Sequence, residues 1–173
     1  EWRNGPTIAP GGELKRSDGH RAGTDFDQAL FHLRAGSRLG PGSFSADLGL
    51  ARRNFGAQDF YAPYPSFEKT RTYTSSLHWA QPVSGSMELR VGGSFRRHED
   101  EFTLIRHDPA VYQNRHTSSQ VGGDVLIRRE GSGPIGWSAG GEVFQDRLRS
   151  NSLGDRGETR GAIFGEAALG GQG

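Results

Sequence analysis

The sequence predicts an all-β chain, an antiparallel meander of strands built to cross a membrane as part of a β-barrel. Three observations predict it: an apolar/polar alternation of period two that recurs seven times in 173 residues, connections that alternate strictly between short and long, and too little apolar material for a second layer. Hydrophobic residues make up only 32% of the chain and Gly fills 27 positions, so a soluble core of ordinary density has no source. No run approaches the roughly 18 apolar residues of a spanning helix.

The strands follow in order. From Ala29 to Arg38, Ala29, Phe31, Leu33 and Ala35 share a face while His32, Arg34 and Gly36 take the other. From Ser43 to Arg53, Phe44, Ala46, Leu48 and Leu50 oppose Ser45, Asp47 and Gly49. Lys69 to Gln81 sets Tyr73, Leu77 and Trp79 against Thr72, Thr74, Ser76 and His78. Met87 to Leu104 sets Met87, Leu89, Val91 and Phe95 against Glu88, Arg90, Ser94 and Arg96. Thr117 to Arg129 carries Val121, Val125 and Ile127, Ile135 to Leu148 carries Ile135, Trp137, Ala139 and Val143, and Arg160 to Leu169 carries Ile163, Ala167 and Leu169. Glu13 to Arg16 supplies the end of an eighth strand if an earlier one exists. No segment holds a 3.6-residue apolar stripe, so no helix is expected.

The connections sort into two classes. Leu39 to Gly42, Pro82 to Ser86 and Glu130 to Pro134 are short and made of turn residues. Asn54 to Glu68, Ile105 to His116 and Arg149 to Glu158 are long, and an irregular stretch from Gly11 to Gln28 precedes the first clear strand. A meander then puts all short turns at one end and all long loops at the other, the plan of an outer-membrane barrel. Asp47, His78, Glu88, Arg90, Asp124 and Glu142 lie in strand interiors opposite the apolar face, where a dry core would penalise each unpaired charge and a wet or plugged lumen would not. Trp79 and Trp137 both fall beside short turns, as an aromatic girdle requires; the competing reading is a pair of sandwich-core tryptophans.

Charge and composition exclude other classes. With 21 basic and 20 acidic residues the formal charge is +1, which removes the electrostatic case for a nucleic-acid binder. There is no Cys, hence no disulfide framework and no thiolate metal site. His98 to Glu101 and Arg106-His107-Asp108 resemble metal or acid/base clusters on paper, but neighbours on a strand point to opposite faces, so both read as solvated strand ends and loops. No Ser/His/Asp grouping is suggested, and no enzyme, cofactor or metal site is expected. Nineteen Arg stand against two Lys. Arg71, Arg90, Arg96 and Arg128 are candidates for the interior face, where a guanidinium pairs with acids; codon bias in a GC-rich genome explains the excess equally well.

The most unusual segment is the long connection Asn54 to Glu68, with five aromatics on the side of the long loops. Aromatic rings offer large contact area at low ordering cost, so Phe60, Tyr61, Tyr64 and Phe67 are the candidate substrate-binding residues. Packing of these rings on one another, or an outer girdle, accounts for them as well.

The run from Phe55-Gly56-Ala57 through Phe60-Tyr61-Ala62-Pro63-Tyr64-Pro65-Ser66-Phe67-Glu68-Lys69-Thr70-Arg71-Thr72 resembles TonB-dependent outer-membrane receptors, in particular their cobalamin-transporter-like branch. Arg16 to Gly19, Thr24 to Asp27, Arg96 to Phe102, Asp108 to Thr117 and Asn151 to Ala162 are similar to the same branch and occur in family order. The resemblance implies a parent with a plug folded inside a barrel of about 22 strands, of which residues 1–173 supply an interior arc of seven or eight strands without plug, signal peptide or terminal strand. It implies a location in the Gram-negative outer membrane and a role in importing a scarce nutrient such as cobalamin, a ferric siderophore or a similar metal chelate. The implied partners are outer-membrane lipid, the remaining strands and plug, and the TonB complex acting through that plug. Cobalamin receptors bind calcium through loop carboxylates, and Asp18, Asp59 and Glu68 fall near such positions. Lys15-Arg16 stand where further acid is expected, and three scattered carboxylates fall short of the six to eight or so oxygens a hard cation takes. The alternatives are a complete small outer-membrane barrel acting as enzyme or anchor, and a soluble β-sandwich binding module.

Overall fold

A computed structural model describes residues 5–60, 63–129 and 135–169. They form one antiparallel sheet of eight strands in strict sequence order: β1 (Thr7–Ser17), β2 (Phe26–Leu39), β3 (Gly42–Gly56), β4 (Phe67–Ser84), β5 (Met87–Thr103), β6 (Gln113–Arg129), β7 (Ile135–Ser150) and β8 (Arg156–Leu169). The all-β meander is as the alternation predicts, and among the described residues there is no helix. β1 and β8 are the two edges of the sheet.

Several expectations change. The stretch Gly11 to Gln28 is not irregular: β1 runs through it to Ser17 and β2 begins at Phe26, paired without slip from Thr7↔Gly36 to Ser17↔Phe26. Pro10-Gly11-Gly12 hides the strand because it carries no alternation. At an edge only one side of the backbone needs a partner, so proline is tolerated, and Gly11 leaves room for the His32 ring. The three long loops are also shorter than expected, spanning 57–66, 104–112 and 151–155. The ladder continues through polar residues at both ends of each loop, such as Arg115, Arg147 and Arg149, because backbone pairing does not require apolar side chains. Two of the short turns stand where expected but are tighter, 40–41 within Leu39 to Gly42, with Gly40 at φ 62°, and 85–86 within Pro82 to Ser86; Glu130 to Pro134 lies outside the described residues. A register irregularity between Pro82 and Ser84 absorbs the proline just before its turn.

Cross-strand partners share a face, so the register sorts every side chain. One row reads Ala35, Ala46, Leu77, Gly93, Gly123, Val143; the next toward the turns reads Phe44, Trp79, Val91, Val125, Gly141, Ile163. The opposite face carries rows such as His32, Gly49, Thr74, Arg96, Gln120, Asp146, Glu158. Asp47, His78, Glu88, Arg90, Asp124 and Glu142 all belong to this polar face, as do Arg96 and Arg128. Arg71 does not: it pairs with Arg52 and Glu99 in a row of the apolar face, beyond its last apolar side chain on β4.

Among the described residues no second protein layer covers either face. Ala57, in a loop, is the only buried hydrophobic residue among those described, whereas Leu48 and Leu50 in mid-sheet are each 48% exposed. The polar face is held by ion pairs between neighbouring strands, Arg34 with Asp47 at 2.7 Å and Arg128 with Glu88 at 3.1 Å among them. Aromatics fill the space above opposing glycines: Phe144 lies over Gly122 and Phe164 over Gly140.

A methyl group at Gly140 would meet the Val125 carbonyl at 2.6 Å and the Phe164 ring at 2.7 Å, whereas one at Gly93 meets nothing nearer than 3.9 Å. Gly140→Ala should therefore destabilise the folded sheet by about 1–3 kcal/mol and Gly93→Ala by less than about 0.5 kcal/mol. Urea titration in detergent measures the difference, and equal midpoints would refute it.

Candidate functional site

The long-loop end is where this chain folds onto itself. Three connections meet there: residues 18–25 before β2, 57–66 before β4 and 104–112 before β6. Their hub is Arg106. Its Nη1 and Nη2 donate to Oδ1 and Oδ2 of Asp25 at 2.6 and 2.9 Å, its guanidinium carbon lies 4.1 Å from the Phe67 ring centroid, and its backbone N–H donates to the Pro65 carbonyl at 2.9 Å. One residue thus ties all three loops together, through its side chain to Asp25 and its backbone N–H to Pro65. A bidentate fork of this kind fixes direction as well as distance.

Around the hub the backbone closes. Gly56 N–H donates to the Asp25 carbonyl at 2.8 Å, Gln58 N–H to Gly23 at 3.2 Å and Ala57 N–H to Ser66 at 2.9 Å. The Ser66 hydroxyl returns a hydrogen bond to the Ala57 carbonyl at 2.8 Å, and Ser66 is the most buried side chain of the described residues. The approach leaves no room at Gly56, where a Cβ would collide with the Gly23 carbonyl. Asp59 turns the apex at φ 61°, a conformation acidic and amide side chains tolerate better than most. The Arg106 hydrogen bonds hold the Asp25 carboxyl below the ordinary range against the opposing effect of burial, and Arg106's charge adds to the lowering. Arg106 is raised, first by the same hydrogen bond.

The four candidate substrate residues divide. Phe60 and Tyr64 stand at the loop tip, 76% and 44% exposed. Phe67 is at the foot of β4 with one ring face covered by Arg106, and Tyr61 lies outside the described residues. The three carboxylates singled out with calcium in mind occupy separate settings: Asp59 faces Arg21 at 3.9 Å and accepts from the Gln58 amide, Asp18 lies in the loop before β2, and Glu68 pairs with Phe55 at the start of β4. Among the described residues no three His, Cys, Asp or Glu side chains gather around a common point. Sequence reasoning missed the Asp25–Arg106 clamp. The two residues are 81 positions apart, and only their separate charges were visible.

Two features of the sheet bear on what it can do. On the polar face, Arg96, Gln120, Asp146, Arg156 and Glu158 border a cavity of about 660 Å³, with Asp146 accepting from Gln120 at 2.8 Å and from Arg160 at 2.7 Å. On the apolar face, the band of hydrophobic side chains runs obliquely to the hydrogen-bonded rows. It begins at Ala29 on β2 but at Ile163 on β8, and Ile163 shares its row with Ser37, eight residues further along β2. Eight residues over six strand spacings, at about 3.4 Å per residue and about 4.8 Å per strand, is a slope of about 40°.

No family model matches the chain, and no curated protein matches it. Solved structures do. It is similar to the ferric-catecholate import receptor Fiu of E. coli K12 (TM-score 0.65, 8% identity, 86% of this chain and 31% of that one). It is also similar to the siderophore receptor PiuA of Acinetobacter baumannii (TM-score 0.65, 8% identity, 95% and 35%) and to the copper transporter OprC (TM-score 0.62, 12% identity, 85% and 28%). The chain spans about a third of the length of these structures. Its fold is that of part of an outer-membrane β-barrel.

Replacing Asp25 by Asn should weaken the clamp by about 1 kcal/mol, about fivefold in the population of opened loops. Limited proteolysis within 57–66 reads this directly. The same linkage fixes the pH dependence in the parent chain: the folded pKa of Asp25 lies below the unfolded one, so the clamp is fully formed above about pH 4 and is lost as pH falls through the lower folded value. Cleavage should be flat from neutral pH to about pH 5 and rise only under stronger acid.

Proposed function

We propose that the chain is an arc of the barrel wall of a TonB-dependent outer-membrane receptor, working in the active uptake of a scarce metal chelate: a ferric siderophore, cobalamin or a similar complex. The observation that carries this reading is the oblique apolar band. A membrane is a flat slab, and barrel strands cross it tilted by roughly 35–45°. A band that must stay level with the slab therefore climbs across the hydrogen-bonded rows by that angle, which is the slope of about 40° that the register gives. A soluble sandwich imposes no such slope on its core.

The other parts take their roles from this one. The apolar face meets lipid, with Trp79 and Trp137 at the level of the short turns on that face. The polar face lines the lumen, where a plug and water satisfy Arg96, Asp124 and Glu142. The clamped loops form the outer rim, and Phe60, Tyr61 and Tyr64 present aromatic surface to the arriving chelate, with Phe67 anchoring the loop below them. The unjoined edges β1 and β8 favour an arc continued by further strands over a self-closed small barrel. The three solved structures share this fold at a larger size, and they are a ferric-catecholate import receptor, a siderophore receptor and a copper transporter.

Adjacent residues test the membrane assignment. Leu77→Arg, on the apolar face, should cost about 2–4 kcal/mol of folding free energy in bilayers, and Ser76→Arg, on the polar face, about 0.5 kcal/mol or less. Equal costs would end the barrel reading. For uptake, Phe60→Ala combined with Tyr64→Ala should weaken binding of a ferric chelate to cells about tenfold while leaving the protein's amount in the outer membrane unchanged. Unaltered binding would remove the loop tip from the substrate site.

A further inference from the structure

Two side chains hold the 151–155 connection to the sheet. Asn151 continues the β6–β7 ladder past its last strand pair: its Oδ1 accepts from the Arg115 N–H at 2.8 Å, and its Nδ2 donates to the Gln113 carbonyl at 2.8 Å. Ser150 holds the turn itself, its Oγ accepting from the N–H of Ser152 at 3.1 Å and of Leu153 at 2.8 Å. A hydroxyl oxygen has two lone pairs and one hydrogen. With both lone pairs taken by amides, the hydrogen is all that Ser150 has left to offer, and His116 Nδ1 stands 2.8 Å away. The Ser152 hydroxyl, at 3.4 Å, is the weaker acceptor. Ser150 therefore donates to His116, which fixes the ring as the neutral tautomer with its hydrogen on Nε2.

Protonation reverses this. An imidazolium carries a hydrogen on each nitrogen, so Nδ1 becomes a donor facing an oxygen with no lone pair to spare. A partner for that donor stands on the other side. Asp100 is the residue opposite His116 across β5 and β6, on the same polar face, and its Oδ1 is buried without a hydrogen-bond partner among the described residues. A carboxylate oxygen and an imidazolium form a charge-assisted hydrogen bond. The other titratable groups around His116 are His98, diagonal to it on β5 with Nδ1 held by the Thr72 hydroxyl at 2.8 Å, and Arg156 on β8, beyond Leu148 in the next row of the same face. Asp155 closes the connection itself. Glu99, Glu101 and Arg115 project from the opposite face, where Glu99 pairs with Arg97 and Glu101 with Lys69 and Arg115.

We propose that His116 is a proton-operated latch on the 151–155 connection. Neutral, the ring leans toward β7 and fixes the Ser150 hydroxyl, so that both oxygen lone pairs point at the Ser152 and Leu153 amides. Taking a proton from solvent, it turns across β6 to Asp100 and releases Ser150. The hydroxyl then rotates freely, and the two amides lose their fixed acceptor. The turn loosens while β6 gains a bond to β5, the strand that leads into the 104–112 connection. The long-loop end thus exchanges one attachment for another as the surroundings acidify. The inference stands on the geometry of this loop and is independent of the membrane assignment.

The test uses the full-length protein in neutral detergent and follows hydrogen–deuterium exchange of the amides of 150–155, corrected for the intrinsic effect of pH. Lowering the pH from about 7.5 to about 5, across the range in which imidazoles titrate, should raise exchange there about fivefold. His116→Asn keeps an acceptor near the Nδ1 position but takes up no proton, and should abolish the rise. Asp100→Asn removes the carboxylate that receives the ring and should about halve it. His98→Asn, on the same face, should leave it unchanged, and Ser150→Ala should give fast exchange at both pH values. Far-ultraviolet circular dichroism reports that each variant keeps its sheet. Nitrogen chemical shifts of the His116 ring give a measure that needs no variant: the tautomer with hydrogen on Nε2 is expected at pH about 7.5. The other tautomer overturns the proposal. So does an unchanged rate in the unmodified protein, a rise that persists in folded His116→Asn, a full rise in folded Asp100→Asn, or loss of the rise in folded His98→Asn.

Discussion

A single sheet has two faces and no protein to put on either, and the rest of this structure follows from that constraint. Backbone hydrogen bonds run only within the sheet, so they hold strands together without hiding any side chain. Burial must come from outside the described chain. One face meets this with a band of Leu, Val, Ile and aromatic residues interspersed with glycines, the other with charges paired across neighbouring strands. The two solutions differ by one residue along each strand, so a register slip of one would put the charges of the polar face among the hydrophobic side chains. Uninterrupted pairing from β1 to β8, with its one irregularity beside a turn, is the expression of that constraint.

The loops follow a different rule. There the chain packs on itself and buries what it covers: Ser66, Thr103 and Ala57 are inside the long-loop end although none is in mid-sheet. The Asp25–Arg106 pair does in that region what a core does elsewhere. It joins two of the loops, the Arg106 backbone N–H brings in the third at Pro65, and hydrogen bonds along the 57–66 connection complete the closure. The closed loops hold the exposed rings of Phe60 and Tyr64 at the tip of the 57–66 connection.

Most of the sheet was legible in the sequence because its signal is local. Phe44, Ala46, Leu48 and Leu50 announce β3 by themselves, and the same holds for Val121, Val125 and Ile127 on β6. β1 was not legible, since Pro10, Gly11 and Gly12 carry no alternation and its identity depends on β2 accepting it as a partner. Arg71 was misassigned to the interior for a related reason: at the end of a strand the residue type no longer reports the face, and only counting along the register from Tyr73 does. The clamp was invisible because Asp25 and Arg106 acquire meaning from each other only after the chain has run through four strands, β2 to β5. The loop aromatics stood out from their density alone, but which rings stay uncovered depended on where Arg106 came to rest.

The slope of the apolar band has a consequence for how such a chain can change its length. Inserting one residue into a strand reverses its faces beyond that point. Inserting two preserves the faces yet lifts that strand's hydrophobic stretch by about 7 Å relative to its neighbours, which on the proposed barrel reading brings charge into hydrocarbon on one side of the slab. The strands are therefore locked in length by a boundary they do not themselves contain. Segments such as 57–66 and 151–155 lie beyond that boundary, so they are where a lineage of these proteins is free to lengthen, shorten and diversify.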